Sequence, residues 1–132
     1  MAGLYVDTSA LGRILLAEPD AGAIRMTLSS YDAWWSSELV VVELRRLAAR
    51  EDLLAPAEQL IAGLRLMALD RASLDRASRL DPLEVRTLDA IHLDAAVALG
   101  RDDEIAAVLT YDRQLQTGCA HHGLDIEAPT AG

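Results

Sequence analysis

The chain reads as an α/β domain: an open parallel sheet of four to five strands with helices on both faces. Three observations predict this. Short apolar runs alternate with longer amphipathic ones along nearly the whole sequence. The short runs are continuously apolar rather than alternating, as strands covered on both faces are. At 132 residues, 52% of them hydrophobic, the chain has material for one domain, 1–132, with a single core.

The elements follow in order. Leu4-Tyr5-Val6 predicts a short buried strand. Thr8 or Ser9 can cap the next helix, over 10–17. Pro19 suits the first turn of a second helix, to about Ser30. Ala33-Trp34-Trp35-Ser36 predicts a second strand, its tryptophans packed on opposite faces. Ser36 or Ser37 then caps a long helix over 38–51, and Pro56 starts another, to about Leu64. Leu66-Met67-Ala68-Leu69 predicts a third strand, although the run could also extend that helix. A short helix covers 73–80. A stronger one covers 87–99, with Gly100 as its stop. Ala107 to Thr110 predicts a fourth strand. Helix 113–120 ends at Gly123, and Leu124 to Glu127 suits a short edge strand. Residues 130–132 read as a frayed tail. There is no internal repeat or low-complexity linker.

Composition narrows the function classes. The net charge of −9 and pI of about 4.6 argue against a general nucleic-acid-binding module, which is usually basic. They do not exclude a nuclease whose bound cations offset local charge, and they suit a basic protein partner. No apolar run approaches the roughly 18 residues of a membrane span. The N-terminus enters strand-like sequence almost at once, so no signal peptide is expected. The single cysteine, Cys119, forms no internal disulfide and fits a reducing cytoplasm.

Four acidic residues stand beside apolar elements. Asp7 ends the first strand run and Asp112 follows Val108-Leu109-Thr110-Tyr111. Asp89 opens the helix at Thr87, and Glu43 interrupts an apolar helical stretch. Asp7, Asp89 and Asp112 each have an ordinary explanation as helix-terminal acids. Glu43 fits such an explanation less well. Leu39, Val40 and Leu47 share its helix face, and the alternative is an ion pair with Arg46 at i+3. In an open parallel sheet, strand carboxyl ends and returning helix starts lie on one edge, so all four can converge there. Clustered carboxylates repel one another, and a hard divalent cation such as Mg²⁺ or Mn²⁺ resolves the repulsion.

The segments Val6-Asp7-Thr8-Ser9-Ala10-Leu11, Val41-Val42-Glu43-Leu44-Arg45-Arg46, Leu88-Asp89-Ala90-Ile91-His92-Leu93 and Leu109-Thr110-Tyr111-Asp112 give the chain its resemblance. In content and order it resembles a PIN-domain ribonuclease, specifically a VapC-type toxin of a toxin–antitoxin pair. The resemblance implies that Asp7, Glu43, Asp89 and Asp112 form a catalytic acidic quartet. Asp7 and Asp89 are its principal Mg²⁺ ligands, with Glu43 and Asp112 as further ligands. It also implies that Ser9 and Thr110 orient carboxylates or metal-bound water. It implies cleavage of tRNA, rRNA or mRNA, inhibition by a cognate VapB-type antitoxin, and a homodimer. The stretch 101–106 is expected to form a loop longer than in many relatives.

Other residues have competing readings. His92, at i+3 from Asp89, reads first as a packed helix histidine and second as a support for the site. Asp94 should face away from the quartet. His121, His122 and Cys119 are spaced too tightly for a zinc motif. Trp34 and Trp35 could stack on bases, but core packing is the plainer role. Arg45, Arg46 and Arg50 could meet phosphates or simply form a solvated helix face. A haloacid dehalogenase-type phosphatase needs a second aspartate where this chain has Ser9. A receiver domain needs a lysine, and this chain has none. A non-catalytic partner-binding domain remains the alternative, and the intact quartet argues against it.

Overall fold

The computed structural model describes residues 2–131. The order is β1 (Gly3–Val6), α1 (Thr8–Leu15), α2 (Ala21–Ser29), β2 (Trp34–Ser37), α3 (Leu39–Glu51), α4 (Leu54–Ala62), β3 (Arg65–Met67), α5 (Arg71–Arg79), α6 (Thr87–Arg101), β4 (Ile105–Leu109), α7 (Arg113–His121) and β5 (Asp125–Glu127). The five strands form one sheet in the order β3-β2-β1-β4-β5, with every pairing parallel. This is the open parallel sheet the sequence predicts.

The position of β1 explains its composition. It is the central strand, and all four of its residues are buried. Alternation along the strand splits the core. Leu4 and Val6 join a cluster with Leu11, Ile14, Ile24, Val40 and Leu44, so α1 to α4 cover that face. Tyr5 joins the opposite cluster with Leu93, Val97, Leu99 and Leu115, covered by α6 and α7. Each fully buried aliphatic side chain contributes roughly 1.5–3 kcal/mol. A bulge keeps β4 in step with this division. Gly3 pairs with Ile105 and Leu4 with Ala107, so Ala106 is the extra residue and points outward. Arg76 clamps α5 to α6 by a forked contact to the buried Asp94 at 3.1 and 3.2 Å.

Several boundaries differ from the sequence reading. Asp7, rather than Thr8 or Ser9, caps α1, and its side chain accepts from the Ala10 amide. The first helix therefore starts two residues early. Pro19 precedes α2 altogether, since Asp20 is the residue before its first turn. Pro56 is the third residue of α4 rather than its start. Strand β3 is Arg65–Met67 rather than 66–69, because Asp70 leaves the sheet to cap α5 in a reciprocal pair with Ser73. Gly100 does not stop α6, which runs on to Arg101. Its bare Cα instead admits Leu124, which would lie 2.9 Å from an added Cβ. The loop expected over 101–106 shrinks to 102–104, because β4 begins at Ile105. Of the expected frayed tail, 130 and 131 carry no regular structure, and Gly132 lies outside the described residues.

Gly3 sits where the backbone is most crowded. A Cβ there would stand 2.8 Å from the Glu104 carbonyl oxygen and 3.0 Å from that of Ala33. Both are backbone atoms, on either side of the central strand, so neither can swing away. Gly3→Ala should destabilise the domain by about 1–3 kcal/mol in a denaturant melt, with the transition slope unchanged.

Candidate active site

Strand order places the site. The chain leaves β1 for β2 and β3 on one side, then returns to β4 on the other, so the crevice between β1 and β4 opens at their carboxyl ends. Asp7 follows β1 there, and Thr110 and Asp112 follow β4. Helices α3 and α6, packed on opposite faces, bring Glu43 and Asp89 to the same edge. Glu43, Asp89 and Asp112 line one open cleft with the segment 83–88. Asp7 is buried beside it, only 3% exposed.

Two hydroxyls hold Asp7. Ser9 donates to Oδ1 at 2.7 Å and Thr110 to Oδ2 at 2.6 Å, while the Ala10 amide lies 3.2 Å from Oδ1. The same hydroxyls receive amides from the turn after β4. Tyr111 N–H donates to Ser9 Oγ at 2.9 Å and Asp112 N–H to Thr110 Oγ1 at 3.0 Å. The ends of β1 and β4 are thus tied together through a buried carboxylate. Burial still raises the Asp7 pKa, against the nearby His92 and the donors from Thr110, Ser9 and Ala10. Ser9 and Thr110 thus each hold one oxygen of the Asp7 carboxylate.

The remaining acids are held differently. Asp112 caps α7, its Oδ1 accepting from the Gln114 and Leu115 amides at 2.8 and 3.1 Å. Glu43 Oε1 accepts from Thr8 at 2.7 Å and lies 2.8 Å from His92 Nε2. These contacts replace the Arg46 ion pair weighed from the sequence. Burial raises the Glu43 pKa, but the His92 and Thr8 contacts outweigh it and the carboxyl ends below its usual value. Among the described residues, the only side-chain partner of Asp89 is Arg86, at 4.0 Å. Burial, then the charge of Asp112, lifts its pKa to about 6. Arg86 and His92 oppose the shift and Asp7 adds slightly to it.

Tyr5, Thr8 and Arg86 were not read as site residues. Tyr5 gave no signal, since a strand tyrosine normally reads as core. Thr8 was legible as the hydroxyl beside Asp7, and Arg86 as a cation three residues before Asp89. His92 is buried in the packing, as first read from the sequence, and its ring contacts Glu43, a partner the sequence did not point to.

The residues set aside earlier stay outside the site. Asp94 belongs to Arg76. Cys119 is buried, and burial pushes its thiol up to about 12. His122 bonds the Asp81 carbonyl oxygen. Trp34 and Trp35 pack on opposite faces, and Trp34 donates to the Leu28 carbonyl. Arg45 pairs with Glu58 on the surface.

The donor set at this edge is all oxygen, acidic and mutually repulsive, which suits a hard cation. Among the described residues, no three His, Cys, Asp or Glu side chains already converge to hold a metal. Mg²⁺ commonly takes only one or two carboxylates and keeps several waters, so its binding does not require such a group of three.

Comparison with known proteins identifies the family and the fold. Residues 4–118 match the PIN-domain family. Ribonuclease VapC46 of Mycobacterium tuberculosis is 35% identical over 132 residues, covering 98% of this chain and 100% of that protein. Ribonuclease VapC47 of the same species is 35% identical over 135 residues, covering 97% and 98%. The chain belongs to the PIN-domain family and, within it, to the VapC ribonucleases. The fold also matches the crystal structure of M. tuberculosis VapC20, a sarcin–ricin loop cleaving toxin. The TM-score is 0.67 and the identity 18%, over 86% of this chain and 93% of that one. VapBC2 from Rickettsia felis, solved bound to a DNA fragment from its promoter, matches with a TM-score of 0.65 and 12% identity, over 95% and 97%.

The raised Asp89 carboxyl has a consequence for the metal-free protein. The folded state holds its proton up to about pH 6, whereas the unfolded chain releases it near pH 4. Between those values the native state binds more protons, so this group lowers stability as pH rises. In EDTA, Asp89→Asn should therefore stabilise the fold at pH 7.5, by roughly 1 kcal/mol once solvent screening is allowed for. The gain should vanish below pH 4. Thermal melts of both proteins across that range check the sign.

Proposed function

We propose that this chain is a Mg²⁺-dependent endoribonuclease toxin of a toxin–antitoxin pair, with Mn²⁺ able to substitute. The observation that carries the reading is the acidic edge itself. Glu43, Asp89 and Asp112 face one cleft, Asp7 is fixed beside it, and Asp89 senses both Asp112 and Asp7. A binding domain without chemistry gains nothing from so repulsive an arrangement.

Asp7 and Asp89 would hold the metal, with Glu43 and Asp112 as its further neighbours. Bound there, Mg²⁺ would supply charge to offset the scissile phosphate and would acidify a water molecule. The protein's contribution is position. Ser9 and Thr110 fix both Asp7 oxygens, so that carboxylate cannot turn with its occupant. The α7 amides take one oxygen of Asp112, and among the described residues the other, on this cleft-lining residue, receives no hydrogen bond. Glu43 is similarly tethered by one oxygen, and its ionised form is placed to accept a proton from water. Arg86, on the cleft rim and mostly exposed, is the cation nearest Asp89 and suits an incoming phosphate.

The substrate is an RNA (tRNA, rRNA or mRNA), the setting is the cytoplasm, and the working form is a homodimer. The partner is a VapB-type antitoxin carrying an apolar helix and a basic side chain. An apolar groove of about 550 Å³ between α1, α2 and α4, lined by Leu11, Ile14, Leu28, Trp34 and Leu60, suits such a helix. The net charge of −9 favours a basic peptide over RNA alone.

The test is cleavage of total RNA by the purified protein, with mapped ends. Cleavage should require Mg²⁺ or Mn²⁺ and stop in EDTA. Asp7→Asn, Asp89→Asn and Glu43→Gln should each lose at least about 100-fold in rate while remaining folded. Expression of the native chain alone should arrest growth, and these variants should not. Undiminished cleavage in EDTA, or by the Asp7→Asn/Asp89→Asn double variant, would remove the metal-dependent reading.

A further inference from the structure

Tyr5 is an unusual residue for the middle of a central parallel strand. It is fully buried, so its hydroxyl must find a partner inside the protein. That partner is His92 Nδ1, at 2.6 Å, with the two rings edge to face. The other nitrogen of the same ring, Nε2, lies 2.8 Å from Glu43 Oε1. The ring is 3% exposed, so water does not compete for either nitrogen. A chain of contacts therefore runs from β1 through α6 to α3, over the carboxyl edge of the sheet. It joins the two helical layers at the acidic site.

The direction of these bonds follows from valence. Glu43 Oε1 already accepts the Thr8 hydroxyl, and a carboxylate oxygen has no hydrogen to give. His92 Nε2 must then carry a hydrogen. Tyr5 can donate to Nδ1, and in doing so it selects the neutral tautomer with the proton on Nε2. Thr8 donates to the same Glu43 oxygen at 2.7 Å. Two donors occupy the two lone pairs of Oε1. Among the described residues, Oε2 receives no hydrogen bond, and Glu43 lines the cleft. An unrestrained glutamate would rotate and exchange its oxygens.

We infer that His92, held in its Nε2–H tautomer between Tyr5 and Glu43, is a positioning residue that commits Glu43 Oε1 to the protein and presents Oε2 to the cleft. This deepens the ribonuclease reading and rests on it for its kinetic consequence. The tautomer and the carboxylate's orientation are properties of the metal-free chain. Asp7 and Asp112 are held through hydroxyls and amides, so Glu43 is the quartet member whose orientation runs through a titratable ring.

The test has a part independent of catalysis. Long-range ¹H–¹⁵N spectra of the metal-free protein at pH 8 should show His92 protonated at Nε2 and bare at Nδ1. Glu43→Gln should keep that tautomer through the Tyr5 contact, whereas the Tyr5→Phe/Glu43→Gln double variant, which removes both restraints on the ring, should populate both tautomers. A protonated Nδ1 in the native chain, or a tautomer unchanged in the double variant, would overturn the inference whether or not the protein cleaves RNA.

The kinetic part compares variants on a cleaved RNA. His92→Leu should lower kcat roughly 10- to 100-fold and Tyr5→Phe about 10-fold, with KM changed less than about twofold. His92→Gln, whose amide can still donate to Glu43, should recover part of the loss. Where His92→Leu folds poorly, Tyr5→Phe against its double variant with Glu43→Gln decides. Tyr5→Phe should cost nothing further once Glu43 is gone. Equal losses in both backgrounds, or no rescue by glutamine, would make Tyr5 and His92 packing residues only.

Discussion

A carboxylate buried at the end of the central strand governs the site. Asp7 follows β1, which is flanked on both sides, so its side chain has nowhere to reach solvent. A buried charge is tolerated only with donors around it. Here these are Ser9, Thr110 and the Ala10 amide, and the first two also accept amides from the β4–α7 turn. One need, satisfying Asp7, thus fixes the start of α1, the exit from β4 and the setting of Asp112. The cap that starts α1 and the floor of the site are the same residue.

The sheet then imposes a second constraint. Helices on opposite faces must both return their N-terminal halves to the carboxyl edge, so α3 and α6 present Glu43 and Asp89 toward each other from different layers. Burial and the neighbouring charge of Asp112 work against the ionised Asp89, whose carboxyl is raised. The apolar clusters on either side provide the stability that tolerates it. Such an edge is poorly suited to resting empty and well suited to a cation and a phosphate.

The parallel sheet was legible because its strands are short, apolar and separated by helical periods. The quartet was legible because each acid sits beside an apolar run, where a carboxylate needs a reason. Boundaries failed where side-chain chemistry overrode pattern. Asp7 and Asp70 took capping roles that moved helix starts, and Gly100 answered to Leu124 rather than to a helix end. The Tyr5–His92–Glu43 connection was out of reach, since its members are 87 and 49 residues apart and on three elements. Nothing local to Tyr5 distinguishes a core tyrosine from one that steers a histidine.

The central claim is that the carboxyl edge between β1 and β4 is a cation site. Anomalous diffraction from crystals grown in Mn²⁺ tests it most directly. The account predicts a peak within coordination distance, about 2.0–2.3 Å, of oxygens of Asp7 and Asp89, with Asp112 or Glu43 facing it. Saturating Mn²⁺ that leaves this edge without a peak, or places the ion elsewhere on the domain, would contradict it.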